Sequence, residues 1–203
     1  SNHGINLQYN TGNNTITSNT INTNGANGNT GIRLTDDALN NTITGNNIWT
    51  DGSGGSNYGI NLVGVTTSLI RGNIIQHNNI NTNGTSDNGG IYMTIGVNAT
   101  TINNNTINTQ GRTGASNYGI YLTTNSGNNT ITNNNINTNG TSGNSGMYLQ
   151  INTLNNTIQG NTINTDGTSN NNHGISLLGT ATSIARGNVI QHNTIKTNGT
   201  DTN

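Results

Sequence analysis

The stretch "NNTITNNNINTNG", residues 128–140, sets two isoleucines, Ile131 and Ile136, among eleven polar or glycine positions. Alone it is too hydrophilic to bury a core. Its meaning comes from where the same spacing recurs. A Gly-apolar-x-apolar element begins at Gly4, Gly31, Gly59, Gly90, Gly119, Gly146 and Gly174, in steps of 27, 28, 31, 29, 27 and 28 residues. In five of the seven units an Ile follows the glycine by 12 residues, another by 17, and a second Gly by 21. In the units at Gly59 and Gly174 these landmarks move by four, to Ile75, Ile80 and Gly84 and to Ile190, Ile195 and Gly199, as a four-residue insertion in one turn would produce. The spacer between the second Gly and the next unit takes 6, 7 or 8 steps, so length varies in loops.

A repeat near 28 residues with three short Ile/Leu segments and no helical period predicts three strands per turn of a parallel β-helix. The fold expected is an all-β, right-handed parallel β-helix solenoid of about seven coils filling residues 1–203 as one array. Right-handedness follows the usual hand of parallel crossovers. Alternation along a strand turns Ile120, Leu122 and Ile131 inward and Tyr121, Thr130 and Thr132 outward. One coil cannot stand alone: four buried Ile/Leu side chains contribute ~1.5–3 kcal/mol each, against ~1–2 kcal/mol of backbone entropy for each of ~28 residues. Stacking of neighbours must make up the difference.

Composition is consistent with this reading. Only 27% of the residues are hydrophobic and 5% charged, with no Phe, Pro or Cys. Disordered chains combine low hydrophobicity with high charge and few β-branched residues, whereas this chain is rich in Ile and Thr. An asparagine-rich amyloid-like tract shares the composition but does not require the regular spacing. A net charge of −1 with five scattered basic residues argues against nucleic acid and anionic lipid as partners. No stretch approaches the ~20 apolar residues of a membrane span. The chain starts at Ser1 without an initiating Met or a signal sequence, which suggests a mature product or a fragment. Sequons such as Asn13-Asn14-Thr15 and Asn139-Gly140-Thr141 would crowd the surface with glycans in a eukaryotic secretory route, which favours a bacterial source.

Ladders of identical residues stand out. Two positions before the second Ile every unit carries Asn: Asn19, Asn46, Asn78, Asn105, Asn134, Asn161 and Asn193. Two positions after it every unit carries Thr: Thr23, Thr50, Thr82, Thr109, Thr138, Thr165 and Thr197. A turn amide donates and accepts at once, so stacked copies can bond to each other and to the backbone. Both ladders are expected to be structural.

With "GINL" at 4–7, "GIYL" at 119–122, "NNTI" at 128–131 and "GNTI" at 160–163, the chain resembles parallel β-helix repeat proteins of the pectin-lyase-like superfamily, in the manner of its non-enzymatic adhesin and fibre types. The resemblance spans essentially the whole chain and carries no catalytic motif. That superfamily also holds lyases, hydrolases, epimerases, tailspikes and adhesin passengers, so fold analogy does not choose a function.

A longer period overlies the coils. Residues 1–88 align without gaps on residues 116–203, a shift of 115, and about 53 of the 88 pairs are identical. "RGNIIQHN" at 71–78 returns as "RGNVIQHN" at 186–193. Neither end carries a recognisable cap over the exposed strand edges. If Asn203 were followed by Ser1 of another copy, the Gly-to-Gly step would be 8, within the observed range. Such a contact does not close and gives a fibre.

Little else carries chemistry. There is no Glu, and the six Asp residues (Asp36, Asp37, Asp51, Asp87, Asp166, Asp201) give no stacked carboxylate pair on successive coils, as acid/base work or a metal would require. Arg71, His77, Arg186 and His192 accompany the inserted turn. The Arg residues are expected to cap turn carbonyls, and the His residues to fill a position held elsewhere by Asn133 or Ser18. His3 and His173 precede strands, and His77 and His192 would lie ~19 Å apart, so no metal or cofactor is expected. The outward column Asn6, Arg33, Asn61, Tyr92, Tyr121, Tyr148, Ser176 stacks three tyrosines, and Trp49 stands among Asn22, Asn81 and Asn108. These four aromatics are candidates for ligand or lateral contact.

The reading that follows is a non-enzymatic, extracellular or cell-surface rod, stalk or adhesin of bacterial type, whose partner is itself through end-to-end stacking and whose possible ligands are surface glycans. The alternative is a carbohydrate-binding or carbohydrate-processing β-helix using the Tyr column. An ice-binding solenoid is a third class, weakened because Ile74 and Gln76 interrupt the Thr15/Thr17 and Thr42/Thr44 columns.

Overall fold

Three turn signals per repeat divide each coil into three strands, and the computed structural model, which describes residues 2–65, 68–111 and 116–199, places those strands in three parallel walls. Wall 1 runs from His3–Gln8 to His173–Leu178, wall 2 from Thr15–Thr17 to Val189–Gln191, and wall 3 from Thr20–Gly25 to Thr194–Asn198. Each wall holds seven strands in chain order, so every strand pairs with its counterparts one coil before and after. The register keeps like on like: Ile131 lies between Ile102 and Ile158, and Ile136 between Ile107 and Ile163. The chain is a parallel β-helix.

Each corner is built from two residues. One adopts a positive φ and the next is usually Asn. Between walls 2 and 3 the positive-φ column is Ser18, Gly45, His77, Asn104, Asn133, Gly160 and His192. Between walls 1 and 2 it is Asn13, Asn40, Gly72, Ala99, Asn128, Asn155 and Gly187. Between walls 3 and 1 it includes Gly28, Ser56, Asp87, Ser116, Gly143 and Asn171. Asn, Ser and Gly recur there because the left-handed region disfavours bulky and β-branched side chains. The sharp bend they make turns the chain onto the next wall without a long loop.

The core is a stack of aliphatic layers. Ile32, Leu34, Ile43 and Ile48 fill one layer, and the equivalent residues of the following coils through Ile158 are fully buried. The glycine that opens each repeat has a steric reason. Wall 1 bends there, and the pairing skips it, running from His3↔Thr30 directly to Ile5↔Ile32. A Cβ on Gly31 would stand 2.6 Å from the Gly59 carbonyl oxygen and would also run into Ile48 Cγ2. Only Gly lets wall 1 close on the isoleucine of wall 3.

The insertion falls where its spacing indicated, after Val63 and after Leu178. At the first, Ser68 N donates to Val65 O at 3.1 Å, and at the second, Thr180 N donates to Ser183 O at 2.7 Å. The first adds a short strand, Ile70–Arg71, paired with Val97–Asn98. Asp201 and the junction from Asn203 to another Ser1 lie outside the described residues.

Candidate functional site

The asparagine column from Asn19 to Asn193 forms one continuous hydrogen-bonded ladder between walls 2 and 3. Each side-chain Nδ2 donates to the Oδ1 of the Asn one coil on, at 2.9–3.0 Å. The same Oδ1 also accepts the preceding Asn's backbone N–H, as from Asn46 N to Asn78 at 3.0 Å. The second amide hydrogen turns back, Asn46 Nδ2 reaching Ile16 O at 2.9 Å. Every polar group of a buried amide is thereby used, which removes the penalty for burying it.

Two further ladders occupy the other corners. Asn2, Asn29, Asn57, Asn88, Asn117, Asn144 and Asn172 link coil to coil between walls 3 and 1 at 2.8–3.4 Å. Asn14, Asn41, Asn73, Asn129, Asn156 and Asn188 do so between walls 1 and 2, with Thr100 interrupting. Asparagine is thus the hydrogen-bonding strut of all three edges of the solenoid.

The threonine column is different. Thr23 through Thr165 are buried on the inner face of wall 3. The Oγ1 atoms of Thr23, Thr50, Thr82, Thr109 and Thr138 have no hydrogen-bond partner, while Thr165 Oγ1 donates to His173 O at 3.2 Å. These residues fill space with their methyl groups rather than forming a polar ladder, and Thr197 extends the column in the last coil.

The charged candidates are dispersed. Asp36 accepts from Gln8 Nε2 and Asp37 from the Leu69 N–H. Asp166 accepts from Asn164 and Asn198. His77 and His192 occupy the left-handed corner, both at φ 55°. The Arg side chains do not act as the sequence suggested: among the described residues Arg71 and Arg186 enter the hydrogen bonding through their backbone carbonyls, which accept from Asn40 N and Asn155 N at 3.0 and 3.1 Å. No group of three or more His, Asp or Glu side chains capable of holding a metal exists among the described residues.

The outward face of wall 1 concentrates the aromatic side chains. Tyr92, Tyr121 and Tyr148 pair in register on three successive strands. Tyr58 and Tyr118 join them because wall 1 bends at its glycine: the residue before Gly59 or Gly119 faces outward together with the residue two after the glycine. Tyr58 stacks on Tyr92 with ring centroids 4.7 Å apart, and Tyr92 meets Tyr121 edge to face at 4.9 Å. Tyr118 touches both Tyr121 at 4.7 Å and Tyr148 at 5.3 Å. The Tyr121 hydroxyl also accepts from Gln150 Nε2. All five phenols have pKa values raised above the ordinary tyrosine range, chiefly by burial. Trp49 stands apart on wall 3, 37% exposed, beside a recess of about 270 Å³ shared with Asp51, Asn81, Asn83 and Gln110.

No protein-family model matches the chain, and no curated protein matches it. Among solved structures it is similar to the A-module of the mannuronan C-5 epimerase AlgE6 of Azotobacter vinelandii, at 18% identity and a TM-score of 0.32, with 98% of this chain aligned. The chain spans 57% of that module's length.

Proposed function

We propose that the protein is a structural, non-enzymatic β-helical rod, secreted or displayed on a cell surface, that lengthens by receiving a further coil of its own kind on an open edge. The observation that carries this reading is the polarity of the coil stack. In the first coil Leu7, Ile16 and Ile21 are only 8%, 8% and 7% exposed. In the last coil the equivalent Leu177, Ile190 and Ile195 are 40%, 41% and 47% exposed, although Leu149, Ile158 and Ile163 one coil earlier are at 0%, 0% and 1%. Each coil's core side chains are covered mainly by the coil that follows, so the stack has one direction in which a further coil of the same kind would fit.

The ladders have the same polarity. Asn19 and Asn14 donate into the coil that follows, leaving their Oδ1 atoms directed at the first edge. Asn193 and Asn188 send Nδ2 back to Ile158 O and Thr153 O, leaving their backbone N–H groups directed at the last edge. Acceptors at one end and donors at the other make a head-to-tail contact self-complementary in sense, and such a heterologous contact propagates. Ladder bonds polarise one another along a chain, so an added coil strengthens those before it.

The test is sedimentation velocity of the native protein over a range of concentrations beside the variant Ile195→Glu. The expected result is concentration-dependent growth that the variant abolishes while its β-sheet circular dichroism persists. A wild type of one fixed size at every concentration, or growth unaffected by the buried charge, overturns the reading.

A further inference from the structure

The tyrosine face departs from the repeat that generates the rest of the molecule. Under the shift of 115 residues, Tyr58 corresponds to His173, Tyr118 to His3, Tyr121 to Asn6 and Tyr148 to Arg33. Every one of these pairs differs, in an alignment where about 53 of 88 positions are identical. The aromatic patch therefore occurs once, across the third to sixth coils, while the ladders occur everywhere. Sheet stability does not require it, since His3, Asn6, Arg33 and Ser176 occupy the same columns elsewhere.

Its geometry is that of a walled recess. Tyr58, Gly89 and Tyr118 are consecutive in one outward column, Gly89 pairing with Tyr58 on one side and with Tyr118 on the other. The two tyrosines thus spring from strands two coil spacings apart, roughly 9.6 Å, and the glycine between them leaves room into which the Tyr58 ring leans. A Cβ on Gly89 would already crowd Tyr58 Cδ1 at 3.0 Å. Tyr92 and Tyr121 supply the adjoining aromatic surface, and Ser56 and Asp87 complete the rim of a cavity of about 260 Å³. Asp87 is the one carboxylate in its corner column, where other coils have Gly28, Ser56, Ser116, Gly143 and Asn171. Its charge adds to burial in raising the pKa values of the Tyr58 and Tyr118 hydroxyls, so it bears on both walls at once.

Ring faces carry the negative side of the aromatic quadrupole, and a carboxylate beside them adds a full negative charge. We propose that the recess bounded by Tyr58, Tyr92, Tyr118, Tyr121 and Asp87 binds a compact quaternary ammonium group. The trimethylammonium head is apolar enough to leave water, broad enough to touch several rings, and cationic enough to answer Asp87. A uronate would meet the same carboxylate with repulsion. A neutral sugar carries no charge with which to answer Asp87. The chemistry is shared by free choline-type solutes and by the headgroup of phosphatidylcholine.

Titration calorimetry with choline, tetramethylammonium and 3,3-dimethylbutan-1-ol, the uncharged isostere of choline, tests the site. The two cations are expected to bind saturably and the alcohol at least about tenfold more weakly. Asp87→Asn and Tyr118→Leu should each weaken choline binding about tenfold or more, and Tyr118→Phe should retain it, because the ring face and not the hydroxyl is used. Co-sedimentation with phosphatidylcholine vesicles, competed by choline, would place the cation on a lipid, and binding of choline without co-sedimentation would place it in solution. Equal binding of the alcohol, displacement of choline by neutral oligosaccharides with no effect of Asp87→Asn, or no saturable binding of either cation overturns the proposal. Unchanged circular dichroism in each variant ties a loss of binding to the recess.

Discussion

The corner ladders and the tyrosine face make opposite use of the same scaffold. At the corners the sequence repeats one solution in coil after coil: a left-handed residue, then an Asn whose amide is fully spent on its neighbours. On the face of wall 1 the sequence changes from coil to coil, and five tyrosines meet in only part of the array. In a solenoid each coil contacts only its neighbours, so what stacking needs must recur, and what recurs nowhere is free to serve something else. Periodicity here marks structure, and its interruption marks a candidate site.

Mutations can break that division, beginning with the deepest layer. Ile136→Ala removes a fully buried side chain between Ile107 and Ile163 and should cost about 2–5 kcal/mol, seen as a lower urea midpoint. Asn134→Ala leaves the Asn105 backbone N–H without its acceptor and removes the Asn134 Nδ2 bonds to Asn161, Ile102 and Thr132, and should cost about 1–3 kcal/mol. Native-state hydrogen exchange should localise that loss to the coils on either side. Asn133→Val forces a β-branched residue to φ 56° and should cost roughly 1–2 kcal/mol, with Asn133→Gly close to neutral. If Asn134→Ala proved silent, the ladders would not be what holds the corners.

On the tyrosine face the expected effects on stability are smaller. Tyr148→Ser loses its ring contacts with Tyr118 and Tyr121 and should cost only about 0.5–1.5 kcal/mol beyond the buried area, since Ser176 already fills that column one coil on. The pH dependence follows the same cluster. Burial raises the folded-state pKa values of Tyr58, Tyr92, Tyr118, Tyr121 and Tyr148, so the neutral phenol is favoured in the folded chain. Their contribution is complete below the unfolded tyrosine pKa of about 10 and is lost as pH rises through the higher folded values. The urea midpoint should fall above about pH 10, and replacing the five by Phe should flatten that fall. A stability loss from Tyr148→Ser as large as that from Ile136→Ala would make the face part of the scaffold after all.

The walls, the inward isoleucines and the first ladder were legible because Ile131 and Ile136 keep a fixed distance from their glycine in most coils. The other two ladders were hidden by length variation. The Asn29 column follows a spacer of changing length, and only counting back from the next Gly aligns it. The Asn14 column shifts by four in two coils and contains Thr100. The left-handed corners were obscured because Asn133, Ser18, His77 and Gly160, four different residue types, satisfy one backbone requirement. Tyr58 and Tyr118 were missed because strict alternation places them on the opposite face from Tyr92 and Tyr121. The bend at the repeat glycine adds the odd residue that returns them to the same side.

Whether further coils of the same kind continue this stack is settled by electron cryo-microscopy of the native material at several concentrations. Filaments are expected in which the coil spacing of ~4.8 Å and the three asparagine ladders run unbroken from one copy to the next. Isolated rods of one fixed length at every concentration, with Leu177, Ile190 and Ile195 left facing solvent, would contradict it.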